Sequence, residues 1–259
     1  MIHRPRIELV TRGDDAGAGR SANAAIAGCH DRGTLRNASV MGCGPALADA
    51  ADRFRTRPAL CIGLHACLNS EWTHPRFGPV LSPSRVPSLV GPDGCFLPTP
   101  MDLHERRFDP EEAVAEVRAQ LGRVRAAGLR PVYLDEHMGV GWLPGLRVRL
   151  IDLAERENLL LVEGRVPPLP PIPGAADDAE TDPAQRLLDR LRAAPPGRHL
   201  LVTHPMLDDA EAAAWCGPEA PPGRTAAIRS GDRRLLEDPR LLRFFDGIRA
   251  AAVRYDEVF

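Results

Sequence analysis

Lysine is absent from this 259-residue sequence, and all 33 of its basic residues are arginine. The absence excludes two kinds of chemistry from the chain: a catalytic Schiff base needs a lysine amine, and the phosphate-binding P-loop needs a lysine beside the phosphates. The 35 acidic residues slightly outnumber the basic ones and give a formal charge of −2. Because a positive field dominates nucleic-acid affinity, we expect no nucleic-acid partner.

Paired cysteines and long apolar runs are also lacking. The six cysteines are scattered and form no C-x-x-C pair, which indicates reduced thiols rather than a disulfide framework or a structural zinc cluster. The sequence has no run of about 18 apolar residues that could span a membrane. The apolar stretch at residues 7–10 is too short for the core of a signal peptide. We therefore expect a cytoplasmic protein with no membrane span.

Short apolar segments alternate with longer amphipathic ones, which is typical of βα units around a mainly parallel sheet. Seven segments are predicted as strands: residues 7–11, 39–42, 60–64, 132–134, 159–162, 199–203 and 251–255. Six are predicted as helices: residues 22–31, 45–55, 110–127, 146–157, 183–193 and 225–236. The helix at 110–127 is the clearest, because Asp109 can cap its start and Gly128 can end it. The predicted fold class is α/β, a TIM-like (β/α) barrel of about seven strands.

Three stretches interrupt this alternation, at residues 69–108, 166–182 and 206–224. Loops longer than about 15 residues within a compact domain are usually functional or disordered. We interpret the first as a wall of the active site and the second as a mobile flap. No repeat or linker divides the chain, and the prediction is a single barrel domain over residues 1–259.

Acids and imidazoles follow several of the predicted strands, at the edge where βα folds build their active sites. They are Asp14, Asp15, His65, Asp135, Glu136, His137 and His204. Two neighbouring carboxylates that face one cavity need a cation or a shared proton. A divalent ion would use one of them as a ligand and leave the other as a base.

A metal site is the interpretation that unites three of these side chains. The carboxylate of Asp15 and the imidazoles of His65 and His137 suit zinc or another borderline divalent ion, with positions left for water and substrate. Asp135 lies two residues before His137, where it could fix the tautomer of the ring or line the site. Each motif alone also fits a structural role, a helix-capping turn for Asp14 and Asp15 and a core position for a single histidine.

Two further residues have open roles. His204 follows the strand at 199–203 and precedes Pro205, so its imidazole could protonate a departing amine or alkoxide, or could close the barrel structurally. Arg165 follows another strand beside Glu163, and it could orient a substrate oxygen or simply pair with that glutamate.

Four segments of the sequence resemble, in order and spacing, the YdjC/ChbG-like carbohydrate deacetylases. They are IELVTRGDDAG from residue 7, GLH from residue 63, LDEHM from residue 134 and THP from residue 203. The similarity covers nearly the whole chain and includes residues 229–258. It implies a (β/α) barrel that removes an N-acetyl group from an amino sugar with the help of one divalent metal ion.

The resemblance also implies a role for each matching residue. Asp15, His65 and His137 match the metal ligands, Asp14 matches the general base that activates water, and His204 matches a candidate acid. The expected cofactor is one divalent ion, with zinc preferred and magnesium or another ion as the alternative. The expected partner is a small-molecule amino sugar, and the resemblance leaves a homo-oligomer open.

Departures from the family pattern concern the substrate pocket. Met138 and Gly139 stand where relatives that act on chitin oligosaccharides carry further histidines, and Ala16 replaces a phenylalanine. We therefore predict an altered pocket, whose substrate-contacting residues are Asp135, Arg165, Trp72 and Met138. Three aromatic side chains of the 69–108 stretch could stack on a sugar face: Trp72, Phe77 and Phe96.

Three functions are compatible with these observations. The first is a metal-dependent hydrolase that removes an N-acetyl group from an amino sugar or a sugar-containing small molecule. The second is a metal-dependent hydrolase of another amide or ester in secondary or lipid-linked sugar metabolism. The third is a non-catalytic barrel that only binds its ligand. The presence of Asp14, which metal binding does not require, favours catalysis.

Overall fold

The computed structural model describes residues 7–172, 182–246 and 250–259. The strands are β1 Ile7–Ala16, β2 Asn37–Val40, β3 Cys61–Ala66, β4 Tyr133–Glu136, β5 Leu160–Leu161, β6 Gly197–Thr203 and β7 Ala250–Val253. The helices are α1 Arg20–Asp31, α2 Leu47–Phe54, α3 Pro100–Glu105, α4 Pro110–Ala126, α5 Leu146–Arg156, α6 Pro183–Ala193, α7 Ala210–Ala214, α8 Arg224–Leu236, α9 Pro239–Phe245 and α10 Tyr255–Val258. Two 3₁₀ turns occupy Pro83–Arg85 and His137–Trp142.

The strands form one parallel sheet in the order β5-β4-β3-β2-β1-β6, and β7 pairs with the first half of β1. Helices surround the sheet, which curls into a half-barrel. The predicted α/β class and the barrel-like architecture are therefore confirmed. Each of the seven predicted strands is present, although β1 continues to Ala16, beyond the predicted end at residue 11.

The segment after β5 lies against the far edge of the sheet. Leu169 donates its backbone N–H to the carbonyl of Leu200 in β6 at 2.8 Å, and Leu200 donates to the carbonyl of Pro167 at 2.8 Å. Residues 167–169 of the stretch interpreted as a mobile flap therefore pair with a strand of the sheet, and the mobility of the stretch stays a prediction. Residues 173–181 of the predicted flap lie outside the described residues.

Alternate residues of β1 face the inside of the curled sheet, as the two-residue repeat of a strand requires. Val10 belongs to a small inner cluster of apolar side chains with Cys61, Tyr133, Val162 and Tyr255. The next inward residues, Arg12 and Asp14, contact each other, and Arg12 also donates to the hydroxyl of Tyr255 in this cluster at 3.4 Å. The larger core lies between the sheet and the helices. The interior therefore changes from apolar to ionic along β1.

Helix α4 holds the long stretch between β3 and α4 in place. It begins at Pro110, capped by Asp109 as predicted, and ends one residue earlier than predicted. Its buried Glu116 accepts hydrogen bonds from the backbone N–H groups of Val80 and Leu81 at 2.8 and 3.0 Å. Buried backbone donors need such partners, so the stretch is packed rather than free.

Two aromatic residues of this stretch are part of the core. Phe77 and Phe96 are 1% and 0% exposed. The expectation that they stack on a sugar is wrong, because neither ring presents a face to solvent. Their burial reflects packing against the apolar side chains of the main core.

The stretch at 206–224 docks on the start of α1. Gly19 provides no side-chain cap, and Glu211 instead accepts hydrogen bonds from the backbone N–H groups of Arg20 and Ser21 at 3.0 and 2.7 Å. A Cβ at Gly19 would lie 2.8 Å from the ring of Trp215. The stretch contains α7. It is distant in sequence from the turn between β1 and α1, but its Glu211 supplies the cap that completes this turn.

The C-terminal part differs from the prediction in two places. Helix α9 was not predicted, although Asp238 caps it by accepting from the N–H of Arg240 at 2.8 Å. Strand β7 ends at Val253 rather than at residue 255, and Tyr255 begins α10. None of the helices in the described ranges is long and apolar enough to cross a lipid bilayer.

We predict that Gly63→Ala destabilises the protein. A Cβ at this position in β3 would lie 2.0–2.4 Å from three ring atoms of the buried Tyr133. Overpacking of this kind costs about 1–3 kcal/mol of unfolding free energy. Urea unfolding followed by circular dichroism measures the loss.

The control is Gly122→Ala in α4, where the new methyl group meets no atom within 4 Å. It should stabilise the protein by about 0.5–1 kcal/mol, because alanine favours a helix over glycine. An unfolding midpoint for Gly63→Ala equal to that of the unsubstituted protein would contradict the packing described above.

Candidate metal centre

Three side chains meet at the carboxyl ends of the strands. Asp15 lies near the end of β1, His65 in β3, and His137 directly after β4. Asp15 Oδ1 lies 3.4 Å from His65 Nε2 and 3.3 Å from His137 Nδ1, and the two nitrogens are 3.3 Å apart. The structure thus brings the three predicted ligands together, with at most 4% of any of them exposed.

The dimensions of this triangle fit a metal ion. Zinc binds nitrogen and oxygen ligands at about 2.0–2.1 Å in a tetrahedron, whose corners are then about 3.3–3.4 Å apart. Asp15 Oδ1 is also buried without a hydrogen-bond partner among the described residues. A buried carboxylate oxygen without a donor is costly, and a cation between it and the two imidazoles would remove that cost.

The backbone of Asp15 explains how adjacent carboxylates reach one site. Neighbouring residues of a regular strand point to opposite faces. Asp15 instead has a φ of 62°, in the left-handed region that non-glycine residues rarely adopt. The chain turns there, so that Asp14 and Asp15 both contribute to the site. Strained conformations of this kind are concentrated at functional sites.

His65 is held from the inside of the barrel. Its Nδ1 lies 2.9 Å from Asp135 Oδ1, which leaves Nε2 to face Asp15. Asp135 is fully buried, accepts a hydrogen bond from Ser39 at 2.7 Å and lies 2.9 Å from Arg12 Nη1. Burial lowers the pKa of His65, but the carboxylates of Asp135, Asp14 and Asp15 together outweigh burial and raise the pKa well above its usual value. Asp135 was predicted to contact the substrate, and the structure places it behind His65.

His137 is held from the opposite side, by a loop. Its Nε2 lies 3.0 Å from Glu71 Oε2, and its Nδ1 faces Asp15. Burial again lowers the pKa of the imidazole, but the carboxylates of Glu71 and Asp15 together outweigh burial and raise the pKa of His137 to about 9. Sequence reasoning did not assign Glu71 to the site, since its place in a long irregular stretch gave no spacing signal.

A second residue missed by sequence reasoning is Arg229 of α8. Its Nη2 donates to Asp15 Oδ2 at 2.7 Å, and its guanidinium carbon lies 5.0 and 5.3 Å from the ring centroids of Trp72 and Trp215. Burial raises the pKa of Asp15, but the charge of Arg229 and the contacts with His137 and His65 together outweigh burial and lower the pKa well below its usual value. Trp72, predicted to contact the substrate, is only 6% exposed and packs against this arginine.

Asp14 is paired with Arg12 inside the barrel. Its two carboxylate oxygens accept from Arg12 Nε and Nη2 at 2.7 and 2.8 Å. Asp14, His65 and Asp135 form a second group whose ligand atoms lie within 4.8 Å of one another. Both carboxylates of that group are already bonded to Arg12, so the triangle at Asp15 is the better candidate.

The remaining predicted residues lie at different distances from this cluster. Met138 is 49% exposed, and its sulfur contacts the side-chain amide of Asn69 at 2.9 Å. His204 follows Thr203, which pairs with Gly13, and therefore lies level with Asp14 on the neighbouring strand. Its imidazole forms no hydrogen bond to another described residue.

Arg165 is not brought to the cluster. Its side chain is exposed, and the guanidinium carbon lies 5.6 Å from the ring centroid of Phe259. The structure shows no ion pair between Arg165 and Glu163 within the residues it describes. Neither of the two roles considered for Arg165, orienting a substrate oxygen or pairing with Glu163, is visible in this arrangement.

The charges of the site leave room for a divalent cation. The carboxylates are those of Asp14, Asp15, Asp135 and Glu71, and the guanidiniums are those of Arg12 and Arg229. The raised pKa values of His65 and His137 favour protonated imidazoles without an ion, whereas metal binding requires both to be neutral, and acidic groups then exceed basic ones by two charges. A single divalent ion would neutralise the site, which a buried cluster of carboxylates requires.

The fold and the site define a barrel-like α/β protein with a candidate metal centre at the carboxyl ends of its strands. Residues 8–247 match the family described as YdjC-like protein, so the chain belongs to that family. Its relatives include a carbohydrate deacetylase of Brevibacillus brevis, 31% identical over 149 residues, which are 58% of this chain and 56% of the relative. A human carbohydrate deacetylase is 32% identical over 152 residues, or 56% of this chain and 44% of the relative.

The chain spans about half the length of these curated relatives. Among solved structures, it is similar to an Enterococcus faecalis protein described as a cellobiose-phosphate cleavage protein. The two share 20% identity with a TM-score of 0.77, over 98% of this chain and 99% of the other. At this identity the likeness shows a common fold.

We predict that His65→Ala and His137→Ala each lower the affinity for a divalent ion such as Zn²⁺, because each removes one of the three candidate ligands. Elemental analysis after dialysis should show metal depletion in both variants. His104→Ala, at an exposed position on α3, is the matched control and should keep the metal content of the unsubstituted protein. Undiminished zinc in either ligand variant would contradict the assignment.

Proposed function

We propose that the protein is a metal-dependent hydrolase that removes an N-acetyl group from an amino sugar or a sugar-containing small molecule. One observation carries the proposal: Asp15, His65 and His137 form a triangle whose oxygen corner, Asp15 Oδ1, is buried without a hydrogen-bond partner, and the second carboxylate of Asp14 lies beside it. The relatives named carbohydrate deacetylases support the substrate class and the reaction.

Asp15, His65 and His137 would hold the ion through one oxygen and two nitrogens. This donor set favours zinc over magnesium, which prefers oxygen ligands and near-octahedral geometry. A divalent ion bound there supplies a Lewis acid that polarises the acyl oxygen and lowers the pKa of a water molecule. The remaining chemistry falls to residues of the chain.

Asp14 is the general base in this proposal. Arg12 donates a hydrogen bond to each oxygen of Asp14. This bidentate contact fixes the orientation of the carboxylate and offsets its repulsion with Asp15. A carboxylate held in this way can accept the proton of the attacking water as the C–O bond forms. With 3% of Asp14 exposed, the transfer takes place away from bulk solvent.

His204 is the candidate acid. Its position level with Asp14 places it on the other side of β1 from His65. An imidazole there can protonate the amine as the C–N bond breaks, which releases acetate and a free amino sugar.

Trp72 and Met138 border His137 and would shape the pocket. Asp135 acts through His65 in this proposal, and Arg165 is given no substrate contact. We also propose that the chain forms one deacetylase domain and works in the cytoplasm. All six cysteines are unpaired, which supports a reducing compartment.

We predict that Asp14→Asn lowers acetate release by about 100- to 10,000-fold, the usual contribution of a general base. The zinc content should stay unchanged, since Asp14 is not a ligand in this proposal. The assay is enzymatic detection of acetate from a panel of N-acetylated mono- and oligosaccharides, with Zn²⁺, Mg²⁺, Co²⁺ or Ni²⁺ added.

Asp152→Asn, at an exposed position on α5, is the control and should retain full activity. An Asp14→Asn variant with full activity would remove Asp14 as the base. Release of other acids from amides or esters, with none from N-acetyl sugars, would favour a different hydrolase. Zinc binding without turnover of any substrate would favour a non-catalytic protein.

We predict that His204→Gln reduces kcat while leaving zinc content and thermal stability unchanged, because glutamine cannot supply a proton. Substrates with a more acidic leaving group, such as aryl esters, need less protonation and should lose less activity. Rate constants for an N-acetyl sugar and an aryl acetate provide the comparison. Equal losses for the two substrates would argue against an acid role.

A further inference from the structure

Glu71 contacts the metal centre from the stretch that follows β3, and the mechanism above does not use it. Its Oε2 lies 3.0 Å from His137 Nε2, while His137 Nδ1 lies 3.3 Å from Asp15 Oδ1. We propose that Glu71 is a positioning residue that fixes the tautomer and orientation of His137 for metal binding. The inference rests on the metal centre proposed above.

The chemistry of a neutral imidazole gives the reason. Such a ring carries one proton, and only the nitrogen without it can bind a metal. When Nε2 of His137 carries the proton and donates it to Glu71, the lone pair of Nδ1 faces Asp15. Without an acceptor beside Nε2, the proton can sit on either nitrogen and the ring can rotate. Carboxylates that fix metal-binding histidines in this way are conserved features of metal sites in general.

The two carboxylates that contact the histidines of the centre differ in their burial and in how their charges are compensated. Asp135, which holds His65, is fully buried and lies 2.9 Å from the guanidinium of Arg12, so its charge is compensated. The Glu71 side chain is 23% exposed, and no arginine of the described residues lies within ion-pair distance of it. His137 is therefore the side chain that faces the Glu71 charge, and when His137 is neutral, as metal binding requires, this negative charge favours a cation at the site.

The surrounding residues hold Glu71 in place. Asn69 donates its side-chain amide to the carbonyl of Pro98 at 3.1 Å and lies 3.4 Å from Glu71 Oε2. On the other side, Trp72 packs against Trp215 with 4.9 Å between ring centroids. Asn69 and Trp72, which lie on either side of Glu71 in the sequence, are thus anchored to other parts of the chain. The fold therefore holds Glu71 in contact with His137.

The orientation that Glu71 gives to His137 and the negative charge of Glu71 both predict that removing Glu71 weakens metal binding. In Glu71→Ala, His137 loses its acceptor and the site loses a negative charge, so Zn²⁺ should bind about 10- to 100-fold more weakly. Glu71→Gln should show a smaller loss, because its amide oxygen still accepts from Nε2–H but carries no charge. Competition with a chromophoric chelator at neutral pH measures the dissociation constants, with Glu105→Ala at an exposed position of α3 as the control.

A spectroscopic measurement separates this role from a general effect on folding. Nitrogen-15 NMR of the histidine rings should show a single His137 tautomer, protonated at Nε2, in the zinc-loaded protein and in Glu71→Gln. At a pH above the His137 pKa of about 9, where the ring is neutral, the apo form of Glu71→Ala should show both tautomers, whereas the unsubstituted apo protein should show one. Thermal melting of the apo variants reports whether the fold is kept, and Glu71→Gln provides the test if the alanine variant does not fold.

The outcomes distinguish the inference from the function on which it rests. Wild-type zinc affinity in Glu71→Ala, or an unchanged His137 tautomer, overturns the role of Glu71 and leaves the metal centre intact. If the unsubstituted protein and Glu105→Ala bind no metal, the proposed metal centre fails and the role of Glu71 fails with it.

Discussion

The site depends on the ion pairs that the buried guanidinium of Arg12 forms with two carboxylates. The guanidinium grips both oxygens of Asp14 and lies 2.9 Å from Asp135, with 5% of the residue exposed. Burial lowers the pKa of this arginine, but Asp135 and Asp14 reverse the effect and raise it well above its usual value. Removing one partner of a buried ion pair typically costs about 3–5 kcal/mol. The positive charge of Arg12, a residue of β1, therefore allows the carboxylates of Asp14 and Asp135 to lie close together inside the barrel.

Much of the fold and the ligand set follows from local patterns in the sequence. Parallel strands end at one edge of the sheet, so polar residues placed directly after strands are expected to lie near one another, as most of the predicted ones do and Arg165 does not. Asp15, His65 and His137 were predicted on this basis, and the structure brings their ligand atoms within 3.4 Å of one another. Helix α4 was predicted from its cap and its end, which are decided by neighbouring residues.

The residues that sequence reasoning missed reach the site from irregular or distant segments. Glu71 lies in a stretch without periodicity, and Arg229 lies on a helix more than 200 positions after Asp15. Phe77 and Phe96 look like surface aromatics beside glycine and proline, but both are buried: Glu116 of α4 accepts from the backbone that follows Phe77, and Phe96 donates its N–H to the carbonyl of Phe77 at 3.0 Å. Such contacts depend on tertiary packing, which a local pattern does not encode.

The cap that Glu211 supplies to α1 has a consequence for the order of folding. A ribosome releases the first βα unit long before it releases α7, so the turn that carries Asp15 stays unfinished during most of synthesis. Contacts between residues so far apart in sequence raise the contact order and slow folding. The turn between β1 and α1, which carries Asp15, is therefore expected to reach its final conformation late, after most of the sheet and its helices have formed.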